Sequence, residues 1–208
     1  MPKDGQLYLP GLKTKVRSAS LLGEKKKKNS KLKIQTDGSW TKIKLPSSIT
    51  EPMVPVVRLE LAGAAEVDPC WGIDPSVKTT ILAQFSDVTG ATKKRKSWME
   101  KFGEWKHVER VWKWEKDGKA SWHVDVVKPG YYNVSLTYSG TGRLVWGVDT
   151  SQGQHIQNQQ NSSHNYQEFP IGWINFPKAG RYSVSVSCIE GNLKEASLKA
   201  IHFEYVDL

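Results

Sequence analysis

Cysteine is nearly absent from this sequence. Cys70 and Cys188 are the only two in 208 residues, too few for a disulfide framework or a four-ligand zinc site. They could bridge the two halves of the chain; two buried thiols are expected instead. Long apolar runs are missing as well, and nothing approaches the ~20 residues needed to span a bilayer. Met1-Pro2-Lys3-Asp4 has no apolar core behind it, so no signal peptide is expected. Catalytic signatures are equally scarce. The sequence has no Gly-Lys-Ser/Thr phosphate loop, no Gly-x-Ser-x-Gly elbow and no His-Glu-x-x-His. Its five histidines (His107, His123, His155, His164, His202) stand at no metal-ligand spacing. Glycosidase chemistry needs two carboxyl groups facing each other across a bond, and the sequence singles out no such pair. No catalytic residue, metal or cofactor is therefore expected.

Acidic residues are short at one end only. Residues 1–65 hold 13 Lys/Arg against 5 Asp/Glu, and residues 66–208 hold 17 against 16. The basic balance belongs to the first segment, chiefly Lys25 to Lys28, Lys31 and Lys33. A polyanion-binding patch over Lys25–Lys33 is one reading. No aromatic interleaves those lysines, which favours a solvated hairpin tip. Neither nucleic acid nor membrane is expected as a partner.

What the sequence does have is aromatic weight on alternating patterns. Nine Trp, seven Tyr and five Phe are present. Trp122, Val124 and Val126 alternate before Lys128-Pro129-Gly130, and Tyr132, Val134, Leu136 and Tyr138 alternate after it. Period two on both sides of a Pro-Gly break signals paired antiparallel strands with one buried face. The device returns fifty positions on: Lys178-Ala-Gly-Arg-Tyr-Ser-Val-Ser-Val-Ser echoes Lys128-Pro-Gly-Tyr-Tyr-Asn-Val-Ser-Leu-Thr. Two such units imply two sheets facing each other. The expected fold is all-β, as two β-sandwich domains, the first partial.

In chain order, short strands are expected at Leu7–Leu9, Val16–Leu22, Lys31–Thr36, Trp40–Leu45 and Val56–Leu61, with Asp37-Gly38 as a tight turn. Residues 64–80 carry no period and hold three breakers, Pro69, Gly72 and Pro75, so a linker is expected there. The division is thus 1–63, linker 64–80, and 81–208. Ile81–Phe85 opens the second part, and Thr89–Lys96 reads as a polar loop. Ser97-Trp-Met-Glu100 fits a capping box, and Trp98, Phe102, Trp105, Val108 and Trp112 fall near helical spacing. A short helix or irregular loop is expected from Ser97 to Trp114. The polar run Gln152–Gln167 reads as a long loop. Ile171–Phe176, Tyr182–Ile189 and Ser197–Val206 complete the strands.

The remaining chemistry is aromatic rings beside side-chain amides. A sugar ring has an apolar C–H face that stacks on Trp or Tyr, and its hydroxyls seek Asn, Gln, Asp and Glu. Trp112, Trp114 and Trp122 are expected in the core, whereas Trp98, Trp105, Trp146 and Trp173 lie in or beside expected loops. The candidate glycan-binding set is Trp98, Trp105, Asn158, Gln159, Gln160 and Trp173. Asn133-Val-Ser and Asn161-Ser-Ser are N-glycosylation sequons, Asn161 in the polar loop and Asn133 facing outward on a strand.

Two resemblances follow. Pro2-Lys-Asp-Gly-Gln-Leu-Tyr-Leu-Pro-Gly-Leu12, Val16-Arg-Ser-Ala-Ser-Leu-Leu-Gly23, and Lys31-Leu-Lys-Ile with Trp40 and Ile43-Lys-Leu-Pro46 resemble the C-terminal β-sandwich of α-L-fucosidases over residues 2–63. In that family the segment follows a (β/α) barrel carrying the nucleophile Asp and the acid/base Glu. No residue here corresponds to them, so the resemblance implies a fragment of such an enzyme, non-catalytic by itself. Over residues 81–206, Gly103-x-Trp105, Trp122-x-Val-x-Val-x-x-Pro-Gly-x-Tyr-x-Val, Gly172-Trp173 and the closing strand are similar to a jelly-roll carbohydrate-binding module. The resemblance implies glycan partners, fucosylated or anionic ones among them, a docking role toward the absent barrel, and a lysosomal or secreted location. Such modules often hold a structural calcium through a Glu near their first strand. Here that stretch reads Leu82-Ala83-Gln84-Phe85, with an amide in place of the carboxylate.

Overall fold

The computed structural model describes residues 4–22, 31–38, 40–47 and 56–207. Lys25 to Lys28 lie outside them; Lys31 and Lys33 are exposed. The chain is all-β, arranged as a smaller and a larger sandwich.

The smaller sandwich uses β1 (Gln6–Pro10), β2 (Val16–Leu21), β3 (Lys33–Asp37), β4 (Trp40–Lys44) and β5 (Val57–Leu61). One sheet has the order β1-β4-β3, and β2 pairs with β5. Alternation puts Leu7, Leu9, Ile34 and Ile43 inward, around a buried centre of Ala19, Leu32 and Ile43.

Next come β6 (Trp71–Ile73), β7 (Thr79–Leu82), a single 3-10 turn at Ala83–Phe85, and β8 (Asp87–Thr89). They are followed by β9 (Thr92–Lys101), β10 (Glu104–Trp112), β11 (Lys119–Val126), β12 (Gly130–Ser139) and β13 (Gly142–Thr150). The chain ends with β14 (His155–Ser162), β15 (Gln167–Phe176), β16 (Gly180–Glu190) and β17 (Ser197–Tyr205). The front sheet of the larger sandwich runs β15-β12-β17-β10-β9, with β7 also on β17; the back sheet runs β14-β13-β16-β11-β6, with β8 also on β11. β6 lies in the stretch expected as a linker: Trp71–Ile73 pairs in parallel with Val124–Val126, and Ile73 is fully buried.

The sequence echo is a structural one. Gly130 opens β12 in the front sheet and Gly180 opens β16 in the back sheet, with φ of 136° and 137°. In each copy a tyrosine reaches back to the carbonyl four residues earlier: Tyr132 Oη donates to Lys128 O at 2.7 Å, and Tyr182 Oη to Lys178 O at 2.6 Å. The two strands so anchored lie one in each sheet of the sandwich. Aromatics fill the core: Trp114 meets Trp146 edge to face at 5.2 Å, and Tyr138 lies between Trp146 and Phe169. Among the described residues the Trp114 and Trp146 indole N–H groups and the Tyr138 hydroxyl have no acceptor, and the cluster is held by packing among the rings and the aliphatic side chains around them.

Several expectations are corrected. Ser97–Trp114 is no helix: with Thr92–Lys96 it forms the β9–β10 hairpin, paired from Thr92↔Trp112 to Lys101↔Glu104. The Gln152–Gln167 loop contains β14, paired along β13 from Gly142↔Ser162 to Asp149↔His155. Trp146 is fully buried rather than near a loop. Trp114 and Trp122 are core as expected, whereas Trp112 is half-buried with Lys94, Arg110 and Lys113 4.4, 5.1 and 4.8 Å from its ring. Both cysteines are free, Cys188 buried and Cys70 half-buried.

Candidate functional site

The outer face of the front sheet carries an exposed tryptophan, and its register explains why. β15 pairs with β12, with a register shift between Val134 and Ser135 opposite Gly172 and Pro170. The extra residue is a β-bulge, and it moves the in–out alternation by one place. Ile171, Ile174 and Phe176 all point inward as a result, and Trp173 turns outward, 60% exposed. Gly172 permits the bend: its φ is 157°, and a Cβ there would press on Ile156 at 3.3 Å.

Register then sets a row across three strands. Trp173 stands opposite Asn133, and Asn133 opposite Glu204 of β17. All three side chains are exposed. Together with Ser135, Glu168 and Pro170 they line a cleft of about 330 Å³. Its wall is polar and tightly tied. Glu168 Oε1 accepts from Lys78 Nζ and from Ser135 Oγ, both at 2.5 Å. Burial alone would raise the Glu168 carboxyl; the hydrogen bonds from Lys78 and Ser135 outweigh it and hold the group below the usual carboxylate range. Beneath them His202 is clamped between Thr80 Oγ1, 2.9 Å from Nδ1, and Thr137 Oγ1, 2.7 Å from Nε2. Burial pushes this imidazole down from its ordinary range, so it stays neutral, one nitrogen donating and the other accepting.

The six sequence-predicted residues form two groups. Asn158, Gln159 and Gln160 lie on β14, whose edge meets β15 where the two sheets close. Asn158 Nδ2 donates to Pro170 O at 2.7 Å, and its Oδ1 accepts from Gln159 N at 2.8 Å. That amide therefore braces the bulge beneath Trp173. Gln159 is exposed and Gln160 half-buried. Trp98 and Trp105 sit on β9 and β10, at the opposite edge of the front sheet from Trp173. Trp98 pairs with Lys106 and Trp105 with Met99, so strand alternation puts the two rings on opposite faces of the hairpin. Phe102 stands wholly exposed at its turn. Of the sequon residues, Asn133 belongs to the cleft and Asn161 is exposed near the end of β14.

Glu168, Glu204 and Ser135 are the residues that sequence reading missed. Only the bulge had a local signal: an inward Ile171 and Ile174 are out of period-two phase, with a glycine between them. Gln84 lies in the 3-10 turn, and among the described residues no three His, Cys, Asp or Glu side chains converge.

No family model and no curated protein matches the chain. Solved structures do. An α-L-fucosidase from Vibrio sp. strain EJY3 is similar over 98% of this chain and 36% of its own, at 14% identity and a TM-score of 0.54. The mosquito-larvicidal Cry4Aa toxin of Bacillus thuringiensis is similar over 97% of this chain and 43% of its own, at 13% identity and a TM-score of 0.53. A GH26-CBM35 β-(1,4)-mannanase from Podospora anserina is similar over 63% of this chain and 28% of its own, at 14% identity and a TM-score of 0.50. The chain thus spans less than half the length of each. At these identities the likeness is one of fold, shared by proteins that act on carbohydrates and by a toxin.

Proposed function

We propose that this chain is a non-catalytic, glycan-binding portion of a secreted glycoside hydrolase resembling the α-L-fucosidases, with residues 1–63 and 81–208 as its two units and β6, from the stretch between them, completing the second. The observation that carries the reading is Trp173, turned out of the sheet by the bulge and aligned with Asn133 and Glu204 along an open cleft. An exposed indole offers a stacking surface for the C–H face of a sugar. Asn133 and Glu204 stand beside it as hydroxyl partners. The fold likeness to a fucosidase and a mannanase supports the same reading.

Two carboxylates in one cleft also invite a hydrolytic reading, in which Glu168 is not the general acid. A glycosidase general acid must hold its proton near neutral pH. Glu168 is instead held ionised by Lys78 and Ser135. The acidic cleft favours uncharged glycans over anionic ones by simple repulsion. A glycan array on the purified chain, followed by titration of the best ligand, tests the proposal. Trp173→Ala should weaken binding by ~1–3 kcal/mol, as for an exposed stacked hot spot, while its melting temperature stays close to that of the parent. Absence of any bound glycan, or full affinity in Trp173→Ala, overturns it.

A further inference from the structure

On the back sheet, a second cleft lies at an interrupted strand edge. One edge of β11 is covered by β16 from Ala120 to Val126. The other is covered in two pieces: β8 pairs with Lys119 to Ser121, and β6 pairs with Val124 to Val126. Neither reaches Trp122 or His123. Into this gap opens a cavity of about 540 Å³ bounded by Asp68, Pro69, Trp71, Phe85, Asp87 and His123, with Trp122 also lining it.

The walls differ in kind. Trp71 and Phe85 lie against each other with ring centroids 4.6 Å apart and planes tilted by 30°, yet remain 37% and 47% exposed. Each ring covers one face of the other and leaves the rest to solvent. The Trp122 indole is fixed by its N–H to Leu82 O at 3.3 Å. Asp68 is neutralised by Lys13 at 2.5 Å and Arg181 at 3.2 Å, which fixes the start of the Pro69–Trp71 wall. Asp87 and His123 are exposed, and neither makes a hydrogen bond or ion pair with another described side chain.

We infer that this cleft is a second carbohydrate site, separate from the Trp173 face, taking one uncharged sugar ring between the Trp71–Phe85 wall and Asp87 and His123. The gap decides against a peptide. Two residues of β11 span about 7 Å at ~3.4 Å per residue, far less than the ~5–6 residues of an ordinary paired strand. Asp68 is already neutralised by its two cations, so the exposed Asp87 carboxylate is the charge that decides against an anion. What fits is a compact ligand with an apolar face for the rings and hydroxyls for a carboxylate, an imidazole and a bare strand edge. The inference shares its ligand class with the proposed function but none of its residues.

Indole N–H resonances test the two sites separately in the full chain. The probes are the methyl glycosides of L-fucose, D-mannose, D-glucose and D-xylose, each titrated to its solubility limit, with peaks assigned by single Trp substitutions. At least one glycoside should shift Trp71 and Trp122, and should do so equally in Trp173→Ala. Trp71→Ala should abolish the Trp122 response, and Phe85→Ala should weaken it roughly tenfold, each with the Trp173 response intact. If Trp173 responds while Trp71 and Trp122 stay silent, the second site is refuted and the proposed function stands. If Trp71 and Trp122 respond while Trp173 stays silent, the second site stands and the Trp173 reading falls. Silence at all three overturns both. Shifts at Trp71 and Trp122 that Trp173→Ala abolishes show one coupled site and also overturn the inference.

Discussion

The two sandwiches use the same alternation but differ in depth. Among the described residues the smaller one centres on Ala19, Leu32 and Ile43, with no aromatic among them. The larger buries Trp114, Trp146, Tyr132, Tyr138, Phe176 and Phe203 completely or nearly so. The one tryptophan of the smaller part, Trp40, faces the other way. Its indole packs on Gly72, where an added Cβ would come within 2.5 Å of it, and its N–H donates to the buried Asp125 of β11 at 2.9 Å. The smaller sandwich spends its best residue on the seam. Five short strands enclose little apolar surface, so the smaller sandwich is expected to depend on the larger one for stability.

The largest test of that asymmetry is one core substitution on each side. Trp146→Ala should cost ~3–5 kcal/mol and bring both parts down together in calorimetry, since the smaller part loses its support. Ile43→Ala, a ~2–5 kcal/mol change by the same principle, should melt the smaller sandwich first and leave the near-ultraviolet dichroism of the larger intact. A single shared transition in Ile43→Ala would break the comparison and make the chain one cooperative unit.

The seam itself gives a smaller effect. Trp40→Phe keeps an aromatic ring beside Tyr8, now met at 6.1 Å edge to face, and removes the N–H to Asp125 together with the part of the indole that reaches Gly72. A hydrogen bond to a charged group contributes ~1.5–3 kcal/mol. The change should appear as an earlier, separate transition of the smaller sandwich, with the transition of the larger nearly unmoved. An equal shift of both would assign the bond to the stability of β11 rather than to the seam.

The larger sandwich was legible where burial leaves a period. The repeat at Lys128 and Lys178 announced itself because one face of each strand is wholly apolar and its opening glycine needs positive φ. β14 was invisible for the opposite reason. In His155–Ser162 only Ile156 is apolar, and an edge strand held by backbone pairing leaves no hydrophobic signal. The β9–β10 hairpin was misread because a ribbon wet on much of both faces need not alternate. Its aromatics fall by chance near helical spacing, and Gly103 is the turn at φ 80°. The candidate site was half legible. Trp173 was named, but Asn133, Glu168 and Glu204 join it only through cross-strand register, which relates residues far apart in sequence.

The smallest expected effect is one of pH, and it should belong to the larger sandwich alone, because every histidine of the chain lies beyond residue 100. His202 is the one to follow. Burial lowers its pKa, the neighbouring Glu168 carboxylate opposes that, and the Lys78 ammonium adds to it, with lowering the net result. The folded state therefore binds fewer protons than the unfolded state between the lowered value and the ordinary ~6.5. Stability rises with pH in that window, so the larger sandwich should lose stability as pH falls below ~6.5 and stop losing it below the folded pKa. Each unit by which that pKa is lowered corresponds to about 1.4 kcal/mol. His155 works the other way: hydrogen bonding to Asp149 raises it. Being exposed, that pair is screened by solvent and should offset little. His202→Gln keeps a side chain able to donate and accept between Thr80 and Thr137, and should flatten the dependence. Unfolding in denaturant across pH 5 to 7 measures it. The same slope in His202→Gln, or a slope in the transition of the smaller sandwich, would place the titrating group elsewhere.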